Sequence, residues 1–334
     1  MKFVLTKQQA GKIRSTAVEL QLKYKTVDNP EFHQVAYQYA FDLPKDLLVA
    51  ISVFDSTDQP LLQVRGLPVN NELLLHTPGS WREDRSTEAY LCEFMHYLIS
   101  VHVGQPFCWK TQQNGRTVND ILPVRGFEHE QLAIASKSNL MWHVEDAFHD
   151  ARGEFLSLMC LRNHDKVPTL ISAPNMNNLS ASSIAELMKP QYLVRADDAH
   201  DQNTNHNEVG TDEALLEAFD SARNLRKVGI LFGSRKCPYM RLDMDTFGRE
   251  SFTSEAAETA YRELCDLVET SAMKIVSEPG DVLLVNNFLA VHGRPPFEPR
   301  YDGKDRWLQR LLINSDFRKT APYREAANSN VLFA

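Results

Sequence analysis

The sequence predicts an α+β chain with helices gathered in the N-terminal third and a β-rich core behind them. Three observations carry this. Apolar residues recur at helical spacing as far as about Val103, and from Thr117 onward the apolar runs shorten to strand length between polar connections. No Pro-, Gly- or Ser-rich linker separates the two textures, so the 334 residues read as one domain, helical over about 1–110 with a core over about 111–320.

The opening helix runs from Thr6 to about Lys25. Ile13, Ala17, Leu20 and Leu22 recur near helical spacing, and Thr6 is a favoured N-cap type. A second helical stretch covers Pro30 to Phe54, broken near Pro44. Leu61 to Val69 reads as a strand. Glu88 to Val103 reads as a long helix packed on one face through Tyr90, Phe94, Leu98 and Val101. Strands follow in TVNDILPV, NLMWHVED, EFLSLMCLR and TLISAP, then a helix from Ser180 to Met188. The stretch from about 194 to 213 has almost no apolar side chains and reads either as a plain surface loop or as a lid over a site. A helix from Thr253 to about Ala272, capped by Thr253 or Ser254, leads into the strands KIVSEPGDVLLVNN, FLAVHG and RWLQRLLINSD.

Composition limits the function. The chain is 43% hydrophobic and 24% charged, an ordinary globular balance, and 36 Lys+Arg against 44 Asp+Glu leave a net charge of −8. That argues against a general nucleic-acid or anionic-membrane surface and suits a small cationic partner. Five cysteines, widely spaced and without a Cys-x-x-Cys pair, indicate neither a disulfide framework nor a zinc ribbon and point to a reducing, cytoplasmic compartment. No uncharged apolar run reaches the about 18 residues of a membrane span.

The chemistry lies in three places. In NLMWHVEDAFH, an extended backbone projects His143 and Glu145 from one face with Cα atoms about 6.6 Å apart, so imidazole and carboxylate can converge on one ion. Such a triplet also arises often by chance. In GDVLLVNNFLAVHGRPPF an apolar run from Val282 to Val291 delivers His292 at its end, before Gly293, where a rigid strand can present a third ligand. Two histidines and one carboxylate leave three coordination positions open, the facial arrangement of non-heme Fe(II) oxygenases, with zinc as the alternative. Further on, Arg306 and Arg310 in DRWLQRLLINSD share a strand face at roughly 13 Å along the backbone, so both can enter one cavity and meet two carboxylates.

These residues resemble the clavaminate synthase-like branch of the Fe(II)/2-oxoglutarate-dependent oxygenases, particularly the free amino-acid hydroxylases of arginine, asparagine or lysine. The resemblance rests on TQQNGRTVNDILPVRG, WHVEDAFH with FLSLMCLRN, YMRLDMD, and GDVLLVNNFLAVHGRPPFEPRYDGKDRWLQR, spanning about Gln112 to Asp316, while the N-terminal third matches only in being helical. It implies a distorted double-stranded β-helix, a jelly roll, with flanking helices. His143, Glu145 and His292 would be the iron ligands. Arg306 would bind the distal carboxylate of 2-oxoglutarate beside Thr169, Arg310 the substrate α-carboxylate, and Gln112, or its neighbour Gln113, the substrate's amino end. O2 would be the second cosubstrate, with succinate and CO2 released.

Asp243 and Asp245 in RLDMD, two apart on a strand, would form an acidic site for a guanidinium or ammonium group, so the expected substrate is free arginine or lysine. The other reading of the pair is a solvated turn. Glu145 stands where halogenating relatives keep a small residue, which favours hydroxylation. The rivals are a hydroxylase or desaturase of a neutral amino acid and a non-catalytic jelly roll that binds 2-oxoglutarate or a metal.

Overall fold

The computed structural model describes residues 1–201, 204, 213–248 and 252–333. Helices α1 (Lys7–Tyr24), α2 (Pro30–Ala40), α3 (Lys45–Ser56) and α4 (Thr87–Ser100) form the N-terminal layer. Thr6 caps α1 in a reciprocal box with Gln9, and Ala10, Ile13, Ala17, Leu20 and Tyr24 make its buried stripe. The break expected near Pro44 separates α2 from α3. The one-faced packing expected of α4 is corrected. Every residue from Glu88 to Ser100 except Tyr90 is buried, because α1 and α2 cover one side and the main sheet the other. Each buried ionisable side chain keeps at least one partner, Glu88 with Arg14 at 2.6 Å, Glu93 with Arg85 through one oxygen, and His96 with Ser157 at 2.7 Å through one ring nitrogen.

The strands in chain order are β1 (Lys2–Val4), β2 (Leu61–Arg65), β3 (Gln105–Trp109), β4 (Asn119–Ile121), β5 (Leu140–His143), β6 (Phe155–Arg162), β7 (Thr169–Ser172) and β8 (Tyr192–Val194). After them come β9 (Arg226–Val228), β10 (Leu231–Gly233), β11 (Pro238–Met240), β12 (Ala272–Ile275), β13 (Val282–Asn286), β14 (Val291–Arg294), β15 (Trp307–Asn314) and β16 (Val331–Leu332). β2 is shorter than the strand read from the sequence, ending at Gly66, whose φ of +97° a side chain rarely adopts. Among the described residues, eight strands form one sheet in the order β1-β2-β13-β6-β15-β3-β16, with β4 on β15, and a four-stranded sheet runs β12-β7-β14-β5.

Strand parity sorts the side chains between two cores. From β6 and β15, Phe155, Met159, Leu161, Trp307, Leu311 and Ile313 join the helices, while Leu156, Leu158, Cys160, Leu308 and Leu312 join Trp142, Ile171 and Val291 of the smaller sheet. Arg310 has the parity of Leu308 and Leu312, so it enters the space between the sheets. The result is a mixed α/β fold.

The later helices are α5 (Ala181–Leu187), α6 (Glu213–Ala222), α7 (Met244–Gly248) and α8 (Glu255–Thr270), the last capped by Ser254 rather than Thr253. Of the loop or lid expected over 194–213, residues 202–203 and 205–212 lie outside the described residues. Asp198–His200 form one 3-10 turn capped by Asp197. Among the described residues no helix is long and apolar enough to cross a membrane.

Candidate active site

β5 and β14 are antiparallel neighbours in which His143 pairs with His292, and their rings lie 4.2 Å apart. Two sequence expectations change in detail. β5 ends at His143, so Glu145 is carried by the turn that follows rather than by the same strand. His292 is the second residue of a separate strand, β14, rather than the end of the apolar run, which is interrupted after Asn286. The convergence holds. One ligand atom each from His143, Glu145 and His292 lie within 4.8 Å of one another.

Asn287, which nothing in the sequence singled out, fixes Glu145. Its side chain accepts from the Glu145 N–H at 2.9 Å and donates to the carbonyls of Glu145 (3.1 Å) and Gly153 (2.8 Å). Asp146, next along, takes φ +53°, which an aspartate tolerates in a tight turn. His143 Nδ1 lies 2.8 Å from the Met141 carbonyl, which places the proton there and leaves Nε2 as the donor to an ion.

Charge readies the same set. Burial alone would raise the Glu145 carboxyl, but Arg310, His292 and His143 outweigh it and hold it well below the usual carboxylate range. Burial, with the proximity of His143 and Arg310, lowers His292 to about 4 against the pull of Glu145. An ionised carboxylate and neutral imidazole are the forms that bind metal.

Two cavities meet at this triad. One, of about 390 Å³, is lined by Thr169, Arg294, Arg306, Leu158 and Leu308 beside His143, Glu145 and His292. Arg306 is 6% exposed and has Thr169 Oγ1 at 3.3 Å, but no carboxylate partner among the described residues. Burial lowers it to about 10. Its Nε has no hydrogen-bond partner among the described residues. Arg294, missed by the sequence reading, sits beside it, lowered to about 9 by burial and by Arg306, with its N–H groups on the carbonyls of Ala135 and Ser138. Two buried cations with no carboxylate partner among the described residues suit an anionic occupant.

The second cavity, of about 450 Å³, is lined by Arg310, Gln131, Asp197, Asp243 and Asp245 beside His143 and Glu145. Arg310 donates to Glu145 Oε2 (2.7 Å), Gln112 Oε1 (2.6 Å) and Asn119 Oδ1 (2.9 Å). Of the adjacent glutamines, Gln112 therefore meets Arg310, while the carboxamide of Gln113 spans the backbone of Asp120. Asp243 and Asp245 do not share a strand face as expected. Asp243 Oδ1 takes the N–H groups of Asp245 and Thr246 at the start of α7, yet both acids still line this cavity. Burial raises Asp243 to about 6 and also raises Asp197. Asp197 is the third acid, and its polar stretch carried no periodic signal that could have marked it.

No protein-family model matches the sequence. It is 34% identical to an enduracididine beta-hydroxylase of Streptomyces hygroscopicus over 96% of each chain. It is 31% identical to an L-ornithine/L-arginine 3-hydroxylase of Catenulispora acidiphila over 99% of each. Its fold superposes on the non-heme iron oxygenase OrfP, solved with Fe, succinate and (3S)-hydroxy-L-Arg, with a TM-score of 0.91, 33% identity and 99% coverage of both chains. The fold is thus that of a non-heme iron oxygenase, and the triad is a set that could hold a metal ion. Within that class the chain belongs to the clavaminate synthase-like 2-oxoglutarate-dependent family of free amino-acid hydroxylases. The likeness also extends beyond the span read from the sequence, into the helical N-terminal third.

Proposed function

We propose that the protein is an Fe(II)/2-oxoglutarate-dependent hydroxylase of a free basic L-amino acid, arginine fitting best. The observation that carries it is that one cavity beside the His-Glu-His triad is lined both by Arg310 and by the carboxyl groups of Asp197, Asp243 and Asp245. An amino acid with a carboxylate at one end and a guanidinium at the other satisfies both. The related hydroxylases act on enduracididine and on ornithine or arginine, and OrfP has been solved with L-Arg and with alpha-ketoglutaric acid.

The residues fit the implied groups. His143, Glu145 and His292 form the donor set for Fe(II), which when bound supplies the oxidising chemistry that consumes 2-oxoglutarate and O2, releases succinate and CO2, and leaves a hydroxyl on one carbon of the substrate. Arg306 and Thr169 hold the distal carboxylate of 2-oxoglutarate, using the unpartnered guanidinium edge. Leu158, Leu308 and Ile121 line that lobe and keep water out. Arg310 and Gln112 hold the amino-acid head group, and the acids hold the cationic tail. The two sheets are read as the halves of a distorted double-stranded β-helix, and the whole sequence as one oxygenase domain. Its five free cysteines agree with a reducing, cytoplasmic setting.

The test is anaerobic addition of Fe(II) and 2-oxoglutarate, read by a visible charge-transfer band, then a panel of amino acids scored for succinate and a product one oxygen atom heavier. Arginine or a close cationic analogue is expected to give both. Turnover confined to neutral amino acids would overturn the substrate class, and no band with no succinate would overturn the enzyme.

A further inference from the structure

Gln131, Leu132 and Ala133 wall the cavity of about 450 Å³ assigned to the amino acid, and Ala133 also lines the cavity of about 390 Å³ assigned to 2-oxoglutarate. They belong to the stretch that joins β4 to β5, which has no helix or strand of its own. Part of its bonding is internal: the Glu128 carbonyl accepts from the N–H groups of Ser136, Lys137 and Ser138. The chain after His292 ties it to the sheet. Arg294 donates through Nη1 to the Ala135 carbonyl and through Nη2 to the Ser138 carbonyl at 3.2 Å, and the Phe297 N–H reaches the Ser136 carbonyl at 2.8 Å. The Lys137–Glu298 pair and the Tyr301 hydroxyl on Glu128 lie nearer the surface, whereas Arg294 is 3% exposed.

Arg294 follows His292 by two on β14, so both side chains face the space between the sheets. Its planar guanidinium can bridge two carbonyls at once, and charge-assisted bonds in a buried setting are stronger than exposed neutral ones. The wall is thus held from the cosubstrate side by the strand that carries a member of the triad. Three residues of the stretch border the amino-acid lobe and one borders the cosubstrate lobe, where Arg306 and Thr169 stand on other elements. A loosened wall therefore falls mainly on the amino acid. It also admits water beside the reacting carbon and misplaces that carbon, so 2-oxoglutarate is consumed without product. Resting on the amino-acid hydroxylase reading, we infer that Arg294 is a positioning residue for the substrate, acting by clasping the carbonyls of Ala135 and Ser138 so that Gln131, Leu132 and Ala133 keep the wall between the lobes.

The test compares Arg294→Lys with wild type in the full-length protein loaded with Fe(II) and 2-oxoglutarate, using arginine as the probe. Lysine keeps a positive charge beside Arg306 but lacks the fork that spans both carbonyls. The expected result is an arginine KM, and a calorimetric Kd, raised about tenfold, with the Kd of 2-oxoglutarate within about threefold of wild type. Succinate formed per hydroxylated arginine should rise about twofold or more, and amide hydrogen exchange should quicken within residues 131–138. An unchanged arginine Kd, a loss that falls equally on 2-oxoglutarate, or a loss without faster exchange in that stretch would overturn the inference. Should Arg294→Lys not fold, Phe297→Leu removes the ring that lies 4.9 Å from the guanidinium and lines neither lobe. An arginine Kd raised about threefold there, with 2-oxoglutarate binding unchanged, supports the inference, and an unchanged arginine Kd overturns it. A wild-type protein that binds neither 2-oxoglutarate nor a basic amino acid would instead overturn the functional reading, and the inference with it.

Discussion

Arg306→Met separates function from stability. Burial lowers the Arg306 guanidinium from 12.5 to about 10, which corresponds to about 3 kcal/mol against the charged form. The compensation in the ligand-free protein is one contact at 3.3 Å to Thr169, worth about 1 kcal/mol. A methionine of similar length removes both terms, so the ligand-free variant should gain about 2 kcal/mol in urea unfolding. Binding moves the other way. Losing the partner of a buried carboxylate costs about 2–5 kcal/mol, so the dissociation constant for 2-oxoglutarate should rise about 30- to 5000-fold. Anaerobic calorimetry with Fe(II) reads the second effect, and unfolding without ligands the first. A variant that is destabilised when empty and still binds 2-oxoglutarate at wild-type strength would refute the assignment.

His143→Ala and His292→Ala should each abolish turnover because the ion is lost; stoichiometric iron after dialysis in either variant removes that histidine from the ligand set. Gly293→Ala would put a Cβ 2.7 Å from the Leu140 carbonyl on the neighbouring strand, at a cost of about 1–3 kcal/mol. It should also lower iron affinity by moving His292, so wild-type stability and metal content together would contradict the geometry. Burial holds His96 neutral down to about 3, whereas the unfolded protein protonates it near 6.5. Stability should therefore be lost as pH falls through about 6.5, by about 2 kcal/mol at about pH 5 from this group. His96→Gln, which can keep a hydrogen bond to Ser157, should reduce that slope in metal-free protein, and an unchanged slope would show that His96 is not its source.

Much of the site was legible because its chemistry is carried by residue types that are costly to bury. Arg310 announced a cavity by standing in an apolar strand and Arg306 by standing just before it, although each lines its own cavity rather than the one expected. Of the triad only His143 lies at a strand end, with Glu145 in the turn after it and His292 second in β14. The substrate end was less legible. Asp243 and Asp245 were read on a strand that is in fact the start of α7, and Asp197 lies in a polar stretch without periodicity. Asn119, Asn287 and Arg294 are ordinary polar residues whose roles depend on partners remote in sequence; within the clamp itself, Arg310 and Gln112 are 198 residues apart.

Spacing and composition by themselves determined the helices, most strands, and the donor atoms offered to metal and carboxylates, because local backbone preference and the cost of burying charge act within a few residues. Tertiary structure alone decided that β5 and β14 lie side by side, that α4 is covered on both faces, and which acids share a cavity with Arg310. Those outcomes depend on pairing strands distant in sequence, and pairing energy is shared by both partners, so neither segment read separately contains it.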